Sequence, residues 1–157
     1  MDRAGTFDSC LAHPLTRMVL TRSHDIVVLR PFIRPLSYSD IFKDHLANPR
    51  NGGELADANA VAEEINPVCG DRLRLSLRIH DDRIEAARFL AYGCPPTLAC
   101  GSALAEMLEG LSIIEALKLT RNQVAEALGG LSSQKRHAAA LAIETLRRAL
   151  ESAPKRE

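Results

Sequence analysis

The strongest constraint on the fold lies in residues 72–80, RLRLSLRIH, where Leu73, Leu75, Leu77 and Ile79 alternate with polar neighbours. A period of two puts those apolar side chains on one face of an extended strand and Arg72, Arg74 and Arg78 on the other. Asp81-Asp82 then makes a turn, and RIEAARFLAY (83–92) returns as the antiparallel partner. Residues 58–66 supply a third strand. The arginine row reads most simply as a solvent-facing surface.

After Gly93 the period becomes helical. Pro95 and Pro96 suit the first turn of a helix, where a missing N–H costs nothing. Leu98, Leu104, Met107 and Leu108 fall on one side of it until Gly110. Ile113, Ile114, Ala116 and Leu117 mark a second, short helix, and Val124, Ala127 and Leu128 a third, stopped by Gly129-Gly130. A last helix from Gln134 to Leu150 places Ala138, Leu141, Ala142, Thr145, Leu146 and Ala149 on one stripe. Upstream, Ser39 is an N-cap for DIFKDHL, whose Ile41, Phe42 and Leu46 form a stripe ending at Asn48-Pro49. NPRNGG (48–53) follows as a loop. Strands first and helices after is the pattern of an α+β domain. The expected architecture is a small antiparallel sheet of about three strands, helices on one face, preceded by a short N-terminal helix.

That domain occupies 37–150, followed by a flexible tail over 151–157. Residues 1–36 differ in character. They hold five arginines against three aspartates, leaving 15 basic and 17 acidic residues in the remainder. Prolines at 14, 31 and 35 and the lack of a helical period mark a disordered or extended arm, with IVVL (26–29) as a short strand. Met18 offers an alternative start, and the three aspartates disfavour a mitochondrial leader.

Charge and composition exclude several function classes. Lysine plus arginine equals aspartate plus glutamate, 20 each, so no field is available to hold nucleic acid. No apolar run approaches the about 18 residues of a membrane span. The four cysteines, Cys10, Cys69, Cys94 and Cys100, form no CxxC pair, and no apolar leader follows the first charges. A reducing, cytoplasmic setting with free thiols is the expectation. Hydrolase, nucleotidase and dinucleotide signatures are absent: no Ser-His-Asp spacing, no GxxxxGK and no GxGxxG occurs.

Two junctions carry chemistry. Pro67-Val68-Cys69-Gly70-Asp71 precedes the strongest strand, and Tyr92-Gly93-Cys94-Pro95 joins its returning partner to a helix. A hairpin returns to its start, so Cys69, Asp71 and Cys94 converge at one end of the sheet. Taken singly, each cysteine reads as a small buried hydrophobe. Together, two thiols and a carboxylate make a plausible corner for iron or zinc. Cys94, at a helix N-terminus, is expected to ionise more readily than a free thiol. His80 belongs to the hairpin tip, and His13, His24 and Cys10 to the arm, where no role is inferable.

These pieces resemble a known family. Tyr38-Ser39-Asp40, Asp44-His45 and Asn48-Pro49-Arg50-Asn51-Gly52 are similar to the opening of the IscU/NifU-type iron–sulfur cluster assembly scaffolds. Asn66-Pro67 with Cys69-Gly70-Asp71, Phe89 with Tyr92-Gly93-Cys94, Ala99 and Ser102 continue the likeness. Gly110, Glu115-Ala116, Lys135, His137 and Leu141-Ala142 complete it, over roughly residues 38–150. The resemblance implies a non-enzymatic scaffold on which iron and sulfide are assembled, as a transient [2Fe–2S] cluster, and passed to acceptor apoproteins. Sulfur would come from a cysteine desulfurase, with Cys69 or Cys94 as acceptor. Carried over by position, Cys69 and Cys94 are cluster ligands, Asp71 is the aspartate that keeps the cluster labile, and His45 is structural.

The chain departs from the pattern at the third cysteine, because the Lys-x-His-Cys stretch reads Lys135-Arg136-His137-Ala138. Cys100 is a poor replacement. In a helix it lies about 9 Å along and about 240° around the axis from Cys94, whereas sulfurs on one zinc lie within about 4 Å. His137 is the better substitute, completing a Cys69, Asp71, Cys94 and His137 set. Imidazole in place of thiolate removes negative charge and weakens cluster binding. Two alternatives stay open: a Zn2+-bound sulfur acceptor serving a cysteine desulfurase, and a degenerate homologue that binds no cluster. The family's chaperone-recognition segment, Leu-Pro-Pro-Val-Lys, reads Leu131-Ser132-Ser133-Gln134-Lys135, without either proline.

Overall fold

A computed structural model describes residues 38–154 of the chain. The expected arm over 1–36, with IVVL, Met18, Cys10, His13 and His24, lies outside the described residues. In chain order the elements are α1 (Asp40–Ala47), β1 (Ala60–Ile65), β2 (Arg72–His80), β3 (Arg83–Tyr92), α2 (Pro95–Leu108), α3 (Ile113–Leu117), α4 (Arg121–Ala127) and α5 (Arg136–Glu151). The strands form one antiparallel sheet in the order β1-β2-β3. The expected α+β class, with its short first helix, is the observed one.

The alternation in β2 has the expected consequence. Leu73, Leu75 and Leu77 are wholly buried and meet Ile84, Ala87 and Phe89 of β3 on the core face. The hairpin turn uses left-handed backbone at both Asp81 (φ 48°) and Asp82 (φ 59°), the geometry that matches strand twist in a two-residue loop. One feature escapes period-two reading. Arg78 pairs with Ala86 while Ile79 pairs with Ile84, so Glu85 is an extra residue in β3. That bulge lets Ile84 and Ala87, three apart, both reach the core.

The opposite face carries the arginine row, and acids neutralise it. Arg72 lies 3.3 Å from Glu63, Arg74 3.4 Å from Glu54, and Arg78 3.2 Å from Glu85 with Asp57 on its other side.

Helices α2 and α5 cover the core face. The expected one-sided stripe on α2 is too narrow: Leu98 and Met107 are only partly buried, while Ala99, Cys100, Gly101, Ala103 and Ala105 are buried. The helix runs through the core, and small residues permit that. A Cβ on Gly101 would sit 2.5 Å from the Phe89 ring, so α2 approaches the sheet as closely as backbone allows. α1 is capped by Ser39, whose Oγ accepts from the Phe42 N–H and donates to the Leu128 carbonyl.

The last helix begins two residues later than the stripe suggested, after a 3-10 turn over Ser133–Lys135. It also continues through Glu151, and Ser152 Oγ meets both the Val61 N–H and the Val61 carbonyl at 3.1 Å. The segment expected to be a flexible tail is therefore tied to β1 where it starts. No helix among the described residues is long and apolar enough to cross a membrane.

Candidate metal centre

The β1–β2 connection is short and heavily bonded. The Asn66 N–H donates to the Asp71 carbonyl at 2.7 Å, extending the ladder, and the Gly70 N–H returns to the Asn66 carbonyl at 2.8 Å. The Asn66 side chain accepts from the Val68 N–H, and Gly70 supplies the left-handed turn (φ 74°). This loop lifts Cys69 into solvent and delivers Asp71 to the foot of β2, buried. Arg72 pairs with Tyr92, so the start of β2 adjoins the end of β3 and Cys94 arrives beside Asp71.

Asp71 is the hub. Its Oδ1 accepts from the Cys94 backbone N–H at 3.1 Å, and its Oδ2 from the Cys94 thiol at 3.0 Å and the Thr97 hydroxyl at 2.8 Å. Burial works against the charged carboxylate, but hydrogen bonds from Cys94, Thr97 and Cys69 prevail and hold its pKa down to about 2. The site therefore carries a full negative charge at neutral pH. The approach depends on Gly93, where a Cβ would lie 2.2 Å from Oδ1.

Cys94 is the N-cap residue of α2, ahead of two prolines. The expectation that the helix terminus favours its thiolate is overturned. Burial first, and the hydrogen bond to Asp71 next, push the thiol above its ordinary value. A carboxylate 3.0 Å away outweighs a helix terminus whose half-charge is spread over several N–H groups.

His137 enters from the first turn of α5. Its Nδ1 lies 2.9 Å from the Gln134 carbonyl, which can only accept, so that nitrogen carries a proton and Nε2 is the nitrogen the ring can offer to a metal. Nε2 lies 3.9 Å from Asp71 Oδ2. Cys69, Asp71 and His137 each present a donor atom within 4.8 Å of the other two. Cys94 flanks this trio through its bond to Asp71 rather than joining it. The donors, soft sulfur with imidazole and carboxylate, suit zinc or iron.

Among the described residues, the other histidines and the other thiol lie away from this trio. Cys100 is wholly buried, its thiol pushed up to about 12 by burial and then by Cys94. His80 is exposed at the hairpin tip, 3.3 Å from Asp81. His45 is buried between α1 and α2, with Nδ1 2.9 Å from Ser102 Oγ, which also accepts from the Arg50 N–H at 2.8 Å. Thr97 went unnoticed in the sequence. The available signal was a polar residue three positions after Cys94, inside an otherwise apolar run.

Comparison with known proteins gives a consistent answer. A family model described as the NifU-like N terminal domain matches residues 37–157. An iron-sulfur cluster assembly scaffold protein, IscU 1 of Archaeoglobus fulgidus, is 49% identical over 113 residues, 72% of this chain and 74% of that protein. The IscU scaffold protein of Aquifex aeolicus is 43% identical over 69% of this chain and 71% of its own length. Among solved structures, a protein from Fervidobacterium islandicum titled a putative iron-sulfur cluster assembly scaffold for the SUF system superposes with a TM-score of 0.62. It is 22% identical and covers 72% of this chain and 96% of that one, a likeness of fold.

Proposed function

The chain belongs to the family of NifU-like N-terminal domains, and from that membership we propose that it is a scaffold for iron–sulfur cluster assembly, not an enzyme. Iron and sulfide are its cargo, built into a transient [2Fe–2S] cluster and handed to acceptor apoproteins, with a cysteine desulfurase as the sulfur source. The observation that carries this reading is the convergence of Cys69, Asp71 and His137 within 4.8 Å, with the Cys94 thiol bonded to the same carboxylate.

On this reading Cys69, Cys94, Asp71 and His137 hold the cargo. Ligation requires thiolates, so loading releases the proton that Cys94 directs at Asp71, and occupancy falls as pH drops. Asp71 needs no deprotonation, because its carboxyl is already ionised. His137 offers Nε2 while Gln134 fixes the ring, as carbonyl partners do for metal-bound histidines. With Ala138 in place of a thiol, the cluster is held less firmly than in a three-cysteine relative.

Anaerobic reconstitution with iron and sulfide, read by absorbance and by iron and sulfide content, tests the proposal. Wild type should take up both and pass them to an apo acceptor protein, and His137→Ala should retain several-fold less. Equal retention would remove His137 from the site. A zinc-bound sulfur acceptor is the second reading, favoured by a trio compact enough for one ion with Cys94 left as a neighbouring thiol. One tight zinc per chain, with persulfide appearing on Cys94, would establish it instead. Neither metal uptake nor persulfide transfer would indicate a homologue that has lost the activity.

A further inference from the structure

Thr97 is the polar side chain at this centre to which no role has yet been given. It sits in the first turn of α2, is wholly buried, and places Oγ1 2.8 Å from Asp71 Oδ2 and 3.4 Å from Cys94 Sγ. A hydroxyl has one proton to donate. The shorter contact, to a charged acceptor, assigns that proton to Asp71.

We propose that Thr97 is a positioning residue that keeps the Asp71 carboxylate aimed at the metal after the thiols have lost their protons. This rests on the reading of the centre as a metal-binding site. Oδ2 accepts from the side chains of Cys94 and Thr97, and the carboxylate takes a further side-chain bond from Cys69. When metal binds, the S–H bond of Cys94 breaks, its proton passes to solvent and its electron pair to the metal. The carboxylate then loses a donor and gains a neighbouring negative sulfur that repels it. The Cys94 N–H still pins Oδ1, but one bond leaves the group free to swing about it. Thr97 supplies the second point. Its bond to Oδ2 needs no thiol proton, survives ligation, and leaves another Oδ2 lone pair toward His137 Nε2, 3.9 Å away. Outer partners of this kind are worth about 10–100-fold in metal affinity.

The test is anaerobic titration of the full metal-free chain with Co2+, followed by the thiolate–cobalt absorption. Thr97→Val keeps shape and removes the hydroxyl, so affinity should fall about 10–100-fold. Thr97→Ser keeps the hydroxyl and should stay within about threefold of wild type. In an Asp71→Asn background, Thr97→Val should have no further effect, because the group it positions is gone. Thr97→Val binding like wild type, or weakening cobalt equally with and without Asp71, would overturn the inference. So would a Thr97→Ser variant as weak as Thr97→Val. The scaffold reading fails separately, if wild type binds cobalt in this pattern yet takes up no iron and sulfide. A wild type that binds no cobalt would sink both.

Discussion

Asp71 and Gly93 share one small volume: the carboxylate oxygen lies 2.2 Å from where a Cβ on Gly93 would stand. Gly93 also adopts φ 141°, a region closed to ordinary L residues. Both facts arise because β3 must end, turn and start α2 while presenting Cys94 to a buried acid. Gly93→Ala should therefore push Asp71 out of reach of Cys94. The expected cost is about 1–3 kcal/mol of stability from backbone strain alone, with metal uptake lost well beyond that proportion. Thermal denaturation beside cobalt binding checks it. A variant as stable as wild type with normal uptake would show that the acid is not held by this contact.

The depressed pKa of Asp71 makes an acid-stability prediction for the metal-free protein. Its folded value, about 2, lies below the ordinary 3.8. The stabilisation is thus fully present above about pH 4 and is lost as pH falls toward 2. A shift of that size corresponds to roughly 2 kcal/mol. Denaturant titrations at pH 7, 4, 3 and 2 should show wild type losing about that much more stability than Asp71→Asn. Parallel curves would assign the acid sensitivity to other groups.

His45 predicts a separate transition at milder acidity. Burial first, and Arg50 second, lower its pKa below 6.5, while Glu106 and Asp44 oppose them. A histidine depressed in the folded state stabilises it above the unfolded value. That contribution disappears as pH drops through the folded value. Stability should therefore begin to fall below about pH 6.5 in wild type and stay flat there in His45→Gln. Because His45 joins α1 and the 48–53 loop to α2 through Ser102, amide exchange in α1 should quicken over the same window. Unchanged exchange in α1 would mean that the helix is held by Phe42 and Ser39 without it.

What was legible in the sequence divides by the range of the interaction. The β2 alternation, the Asp81-Asp82 turn and the Gly93-Cys94-Pro95 junction are local, so residue order alone placed them and brought Cys69, Asp71 and Cys94 to one sheet end. The bulge at Glu85 was not legible, since it depends on both strands packing at once. The protonation of Cys94 was misjudged for a similar reason. A helix terminus can be read from sequence, whereas the burial of the thiol, and after it a carboxylate 3.0 Å from the sulfur on a residue 23 positions away, come from tertiary packing. Thr97 was hidden because a threonine inside the first turn of a helix, past the N-cap, ordinarily bonds nearby backbone or solvent, and here the hydroxyl turns to Asp71 instead.

Position 138 offers the sharpest trial of how this chain differs from three-cysteine relatives. The family resemblance puts the third thiolate there, next to His137, and Ala138 is wholly buried in the first turn of α5. A sulfur added at that point enters a packed region, so Ala138→Cys should lower stability by about 1–3 kcal/mol. On the family resemblance it also adds negative charge and a soft donor to the centre, which should slow cluster loss to a chelator several-fold after anaerobic reconstitution. In the same background His137→Ala should matter less than it does in wild type, because thiolate replaces imidazole as the fourth donor. If instead the added cysteine leaves cluster lifetime unchanged while His137→Ala remains as damaging, then the first turn of α5 aims residue 138 into the core. His137 would then be the donor that α5 supplies to the Cys69, Asp71 and Cys94 corner.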